Sequence, residues 1–106
     1  MSYRFMRVLV FFDLPTTTSL HRRHYSQFRK TLLKEGFLMM QESVYCKLAL
    51  NTTAANIIMD FVESNKPPEG LVQMLAITEK QYSKIVFVQG KGQNTTLDTD
   101  ERIVVI

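Results

Sequence analysis

Phe5-Met-Arg-Val-Leu-Val-Phe-Phe-Asp13-Leu-Pro15 decides how this chain folds. The short run of β-branched and aromatic residues predicts a strand over residues 4–13, and Pro15, lacking an amide donor, stops its pairing. Apolar side chains occupy both parities: Phe5, Leu9 and Phe11 on one, Met6, Val8, Val10 and Phe12 on the other. A strand of that kind belongs in a sheet covered on both faces. Asp13 closes the run. A carboxylate beside so much apolar surface is costly unless it is paired, bound to metal or reached by water. At the C-terminal end of a strand, where loops collect functional groups, it is the first candidate functional residue. The competing reading is a turn former that bonds its own backbone ahead of Leu-Pro-Thr-Thr-Thr.

Outward from that strand, Thr16–Ser19 offers helix N-caps for a helix over Leu20 to Glu35, ended by Gly36 in a left-handed position. Leu20, Phe28 and Leu32, flanked by Tyr25 and Leu33, form its apolar stripe. The rest of the helix carries Arg22, Arg23, Arg29, Lys30 and Lys34. Phe37–Gln41 and Ser43–Leu50 read as a hairpin around Glu42, with Val44, Cys46, Leu48 and Leu50 on one face and Tyr45, Lys47 and Ala49 on the other. Asn51 caps a second helix over about 52–65, striped by Ala54, Ile57, Ile58, Phe61 and Val62. A Pro-Pro loop follows, then a strand over Leu71–Thr78 and an apolar run, Ile85–Val88.

The order β-α-β-β-α-β is the split βαβ, ferredoxin-like α+β plan, in which both helices cover one face of an antiparallel sheet. Residues 1–88 form that domain. Residues 89–106 are expected to be a flexible segment followed by a C-terminal strand, Arg102–Ile106, with no pairing place in its own sheet. The doubly apolar first strand then requires a cover for the open sheet face. A second copy related by a two-fold axis supplies it most economically, so the chain is expected to be a homodimer, with the last strand added to the partner's sheet edge.

At 106 residues, with 45% hydrophobic and 22% charged residues, the chain suits one soluble domain. No apolar run approaches the length of a membrane span, and a single cysteine, Cys46, fits a reducing cytoplasm. Residues 1–47 hold eight Lys/Arg against Asp13, Glu35 and Glu42, while residues 48–106 hold five against seven acids. A basic half opposite an acidic half points to a polyanion-facing surface. The five basic residues of the first helix suit phosphate contacts along a duplex; a solvated helix face is the plainer reading. Asp13 suits Mg²⁺ or Mn²⁺, but one carboxylate makes a poor site, so a two-fold pair of Asp13 residues is the expected ligand set. His21 and His24 lack a third ligand and read as solvent-facing. Walker, Gly-x-Gly-x-x-Gly and Cys-x-x-Cys motifs do not occur.

The ordered set Val10-Phe-Phe-Asp13-Leu-Pro15, Arg22-Arg23…Tyr25…Phe28-Arg-Lys30, Leu33-Lys-Glu-Gly-Phe37, Gln41-Glu-Ser-Val-Tyr45 and Ile77-Thr-Glu-Lys-Gln-Tyr82 resembles the CRISPR-associated Cas-two family in its type II variant. The resemblance implies a homodimer of ferredoxin-like subunits. It also implies partnership with the CRISPR integrase, whose subunits the dimer bridges while short duplex DNA is inserted as a new spacer. Family members are further described as metal-dependent nucleases on RNA or duplex DNA, with the position of Asp13 as metal ligand and catalytic carboxylate. Some of those nucleases carry an Arg shortly before the Ser-Val-aromatic motif, where this chain has Met39 and Met40. A bridging DNA-binding protein is thus the leading expectation. A Mg²⁺-dependent endonuclease, or a toxin-like ribonuclease of the virulence-associated D family, is the alternative.

Overall fold

In a computed structural model of the protein, the described residues are 5–90. Four strands form one antiparallel sheet in the order β2-β3-β1-β4: β1 (Met6–Asp13), β2 (Leu38–Gln41), β3 (Val44–Ala49) and β4 (Leu71–Thr78). The helices α1 (Ser19–Lys34) and α2 (Thr52–Ser64) complete the ferredoxin-like plan, and a short α3 (Glu79–Tyr82) follows β4 directly. The expected C-terminal strand lies outside the described residues.

Local chemistry accounts for the element ends. Thr18 caps α1 by accepting from the His21 amide, and Asn51 caps α2 by accepting from the Ala54 amide. Gly36, at φ 103°, terminates α1, and Lys47 donates to the Glu35 carbonyl exposed there. The β2–β3 hairpin turns at Glu42-Ser43, with an irregularity between Met39 and Gln41.

The helix-side core collects Val8, Val10, Phe12, Leu14, Phe28, Leu32, Phe37, Tyr45, Ala49, Ala55 and Val62. Phe12 is its centre. It meets Phe28 edge-on at 5.2 Å, stacks near Tyr45 at 5.6 Å and meets Tyr25 at 5.9 Å. This clamps the C-terminal end of β1 immediately before Asp13.

Three stripe residues differ from expectation. Leu20 and Leu33 on α1 and Ile57 on α2 are exposed, while Ala55 and Met59 do the packing on α2 instead. Ala55 and Val62 are seven residues apart and fall on one line of the helix, whereas Ile57 lies about 200° round from Ala55. The Ile85–Val88 run is not a strand, and all four of its side chains are exposed.

Among the described residues neither long helix packs on the other sheet face; Leu9 and Cys46 are buried there, and Tyr82 of α3 lies over Arg7 at one end. Register places Arg7, Leu9, Phe11 and Asp13 of β1 on it, beside Val44, Cys46 and Leu48 of β3, Leu38 of β2, and Leu71, Gln73, Leu75 and Ile77 of β4. Leu38, Leu48, Leu71 and Leu75 are 57%, 43%, 54% and 50% exposed there. No helix among the described residues is long and apolar enough to cross a membrane.

Candidate functional site

Asp13 ends β1 on the open face, paired in register with Leu71. Three pieces of chain set its position. The Phe12 amide donates to the Ser43 carbonyl at 3.1 Å, fixing the hairpin turn on one side. On the other side, Gly70 at φ 100° brings the loop so close that a Cβ would lie 2.9 Å from the Asp13 carbonyl oxygen. Beneath, the aromatic cluster holds Phe12. The carboxylate itself is exposed, and neither ion pair among the described residues involves it. Solvent therefore meets the charge that the sequence placed against apolar surface. Around it lies a shallow depression lined by Phe11, Ser43, Val44, Leu71 and Gln73.

The lining residues that carry side-chain oxygens are Asp13, Ser43 and Gln73. Their oxygens suit a hard divalent cation in kind. In number they fall short, because among the described residues no three His, Cys, Asp or Glu side chains gather. The described residues of one chain therefore bring too few ligands together for a divalent metal site.

The five basic candidates are all exposed on α1, in the helix layer opposite the open sheet face. At 100° per residue they cover one continuous sector, with Arg22 and Arg29 at one border and Arg23 and Lys34 at the other. Lys30 and Lys34 face a cleft toward the loop after α2. Arg22 is partly committed, since its guanidinium donates to the Thr16 carbonyl at 3.1 Å. Asp13 and these residues occupy opposite layers and do not form one site.

His21 and His24 part company. The His21 Nε2 lies 2.8 Å from Glu69 Oε1 and its Nδ1 lies 3.2 Å from the Thr17 hydroxyl, while His24 lines the cleft. Cys46 is buried and makes no disulfide.

A polar group at the other end of the open face escaped the sequence reading. Arg7 grips Glu79 with two nitrogens, Nε to Oε1 at 2.6 Å and Nη2 to Oε2 at 3.2 Å, and its guanidinium lies 4.3 Å from the Tyr82 ring centre. The Cys46 thiol meets Arg7 Nη1 at 3.6 Å and the Tyr82 hydroxyl at 3.9 Å. Burial pushes the Tyr82 phenol up to about 12, with Cys46 adding to the shift and Arg7 opposing it. Burial alone would lower the Arg7 value, but the hydrogen bond and charge of Glu79 raise it overall. The available signal was Arg7 itself, a lone cation sharing parity with Leu9 and Phe11.

Taken together, the fold and these features define a small ferredoxin-like protein with a carboxylate at the rim of an open apolar sheet and a basic helix behind it. Residues 6–85 match the family model described as CRISPR associated protein Cas2. Similar curated proteins include three named CRISPR-associated endoribonuclease Cas2. That of Treponema denticola is 54% identical over 95% of this chain and 100% of its own length. Those of Ligilactobacillus salivarius and Streptococcus mutans are 41% and 39% identical, over 95% and 93% of this chain and 100% and 91% of theirs. The chain belongs to the Cas2 family of CRISPR-associated proteins.

Proposed function

We propose that two copies of this chain pack through their open sheet faces, and that the dimer binds duplex nucleic acid on its outward basic helices, bridging the CRISPR integrase during spacer acquisition. The observation that carries this reading is the division of the molecule into two unlike surfaces. Four exposed leucines cover the sheet side, and five exposed cations cover the helix side. Soluble chains seldom leave a contiguous apolar patch of that kind without a partner. Joining two such faces puts both α1 helices on the outside, where they suit backbone phosphates without base readout. The integrase and the spacer reaction enter through family membership.

A metal-dependent nuclease is the second reading, favoured by the exposure of Asp13 on the very face that a second copy would cover, and by the endoribonuclease name of the relatives. A two-fold axis near the Asp13 end would bring two carboxylates together, adding a second ligand to the one that the described residues of each chain supply. Mg²⁺ or Mn²⁺ held there would activate water toward a phosphodiester. The chain's own part is to hold both carboxylates rigidly, through Phe12 and Gly70.

One variant separates the readings. Asp13→Ala should integrate spacers nearly as well as the wild-type protein; complete loss of integration in a folded dimer overturns the bridge. Metal-dependent cleavage of RNA or duplex DNA by purified wild type, abolished in Asp13→Ala, is what the nuclease reading requires.

A further inference from the structure

Between α1 and the loop that follows α2 lies an open cleft of about 590 Å³. Lys30, Lys34 and His24 line it from the helix and Lys66 from the loop, and none of its ten lining residues is acidic. Three lysines and no carboxylate line the cleft, so it presents positive charge to an arriving anion.

The far wall is fixed in advance. Pro67 and Pro68 each lock their backbone φ. At one end of the wall the Asn65 carboxamide nitrogen donates to the Phe61 carbonyl at 2.9 Å. At the other, Glu69, the one acid of the loop, is engaged by His21 at 2.8 Å. A prearranged wall keeps the ordering cost of a ligand low. Arg22, Arg23 and Arg29 do not line the cleft; it shares Lys30 and Lys34 with the basic helix face and adds Lys66 from the loop.

We propose that this cleft is a phosphoryl seat in which Lys66, from outside the basic helix, joins Lys30 and Lys34 on one phosphate group. Its source is either the backbone of a bound nucleic acid or a free nucleotide; the first choice rests on the nucleic-acid reading above.

The test uses the full chain with a blunt duplex of about 20 base pairs, its affinity followed by anisotropy across a salt series. Lys66→Gln is expected to bind about threefold more weakly near 200 mM salt and to lower the slope of log K against log salt by about one. Lys84→Gln, an exposed lysine elsewhere, should change neither. In parallel, amide shifts at Thr31 and Lys66 are recorded on titration with the duplex and, separately, with ATP. Shifts with the duplex alone assign the seat to nucleic acid; shifts with ATP as well assign it to phosphoryl groups in general. If wild type binds duplex while Lys66→Gln and Lys66→Glu leave affinity and slope intact, the seat is overturned. If wild type binds no duplex, the nucleic-acid reading falls on its own account. The seat then stands only if ATP shifts Thr31 and Lys66, and silence in that titration refutes it.

Discussion

Gly70 approaches the end of β1 with φ 100°, and a Cβ added there would lie 2.6 Å from Leu14 Cδ2 and 2.9 Å from the Asp13 carbonyl oxygen. Backbone cannot retreat as a flexible side chain can, so Gly70→Ala carries both conformational strain and a clash. The expected loss is about 1–3 kcal/mol, read as a fall in Tm of several degrees. At Gly36 the nearest atom is the far end of Lys47, so Gly36→Ala should cost the strain alone. Tyr82 gives a prediction with a sign. Its phenol ionises near 12 in the folded chain against 10 for an unhindered tyrosine. A value raised by folding means that its stabilising contribution is complete below pH 10 and is lost as pH rises toward 12. Thermal melts of the wild type should therefore decline more steeply between pH 10 and 12 than those of Tyr82→Phe. Equal slopes would show that the phenol is not held in its neutral form. Neither residue was legible beforehand, because Gly70 and Tyr82 matter through partners 57 and 75 positions away, Asp13 and Arg7. The place of Asp13 at the exposed end of β1 was legible, since a single charge ending an apolar strand is a local pattern.

At the scale of elements, the strands and both long helices were readable to within a residue or two, because caps and breakers mark them locally: Thr18, Asn51, Gly36 and the prolines. What periodicity could not settle was which apolar residues a neighbour would cover. Leu20 stands in the first turn of α1, about 80° round from Phe28, and the sheet does not reach it. α3 was missed although Thr78-Glu-Lys-Gln81 is a capping box, with the Thr78 hydroxyl accepting from the Gln81 amide and the Gln81 side chain accepting from the Thr78 amide. Four residues are too few for a periodic signal, and the helix gains its anchorage from Arg7 across the sheet. The basic face of α1 is testable as a unit. Arg23→Ala with Arg29→Ala spares Arg22 and its bond to Thr16, so α1 should keep its helicity by circular dichroism. If both residues touch phosphate, the slope of log K against log salt for duplex binding falls by about 1.8. An unchanged slope would make the α1 face solvated surface and nothing more.

For the molecule as a whole, the question is what covers the open sheet. Leu75 pairs with Leu9 near the middle of that face and is half exposed in the single chain. A glutamate in its place stays wet in a monomer and costs the fold little. Between two apposed sheets the same carboxylate would be buried without a partner, which costs several kcal/mol per copy and counts twice in a symmetric interface. Leu75→Glu is therefore expected to sediment as a folded monomer where the wild type sediments as a dimer. Ile57→Glu, which alters a still more exposed apolar residue on the far side of α2, should leave the dimer whole. Loss of the dimer should also weaken duplex binding well beyond any single-lysine effect, because linking two α1 surfaces turns the second contact into an intramolecular one. A wild type that sediments as a monomer at tens of micromolar, or a Leu75→Glu variant that remains dimeric, would move the interface away from this face. The paired Asp13 carboxylates would be lost with it, since their meeting depends on both copies presenting the same side.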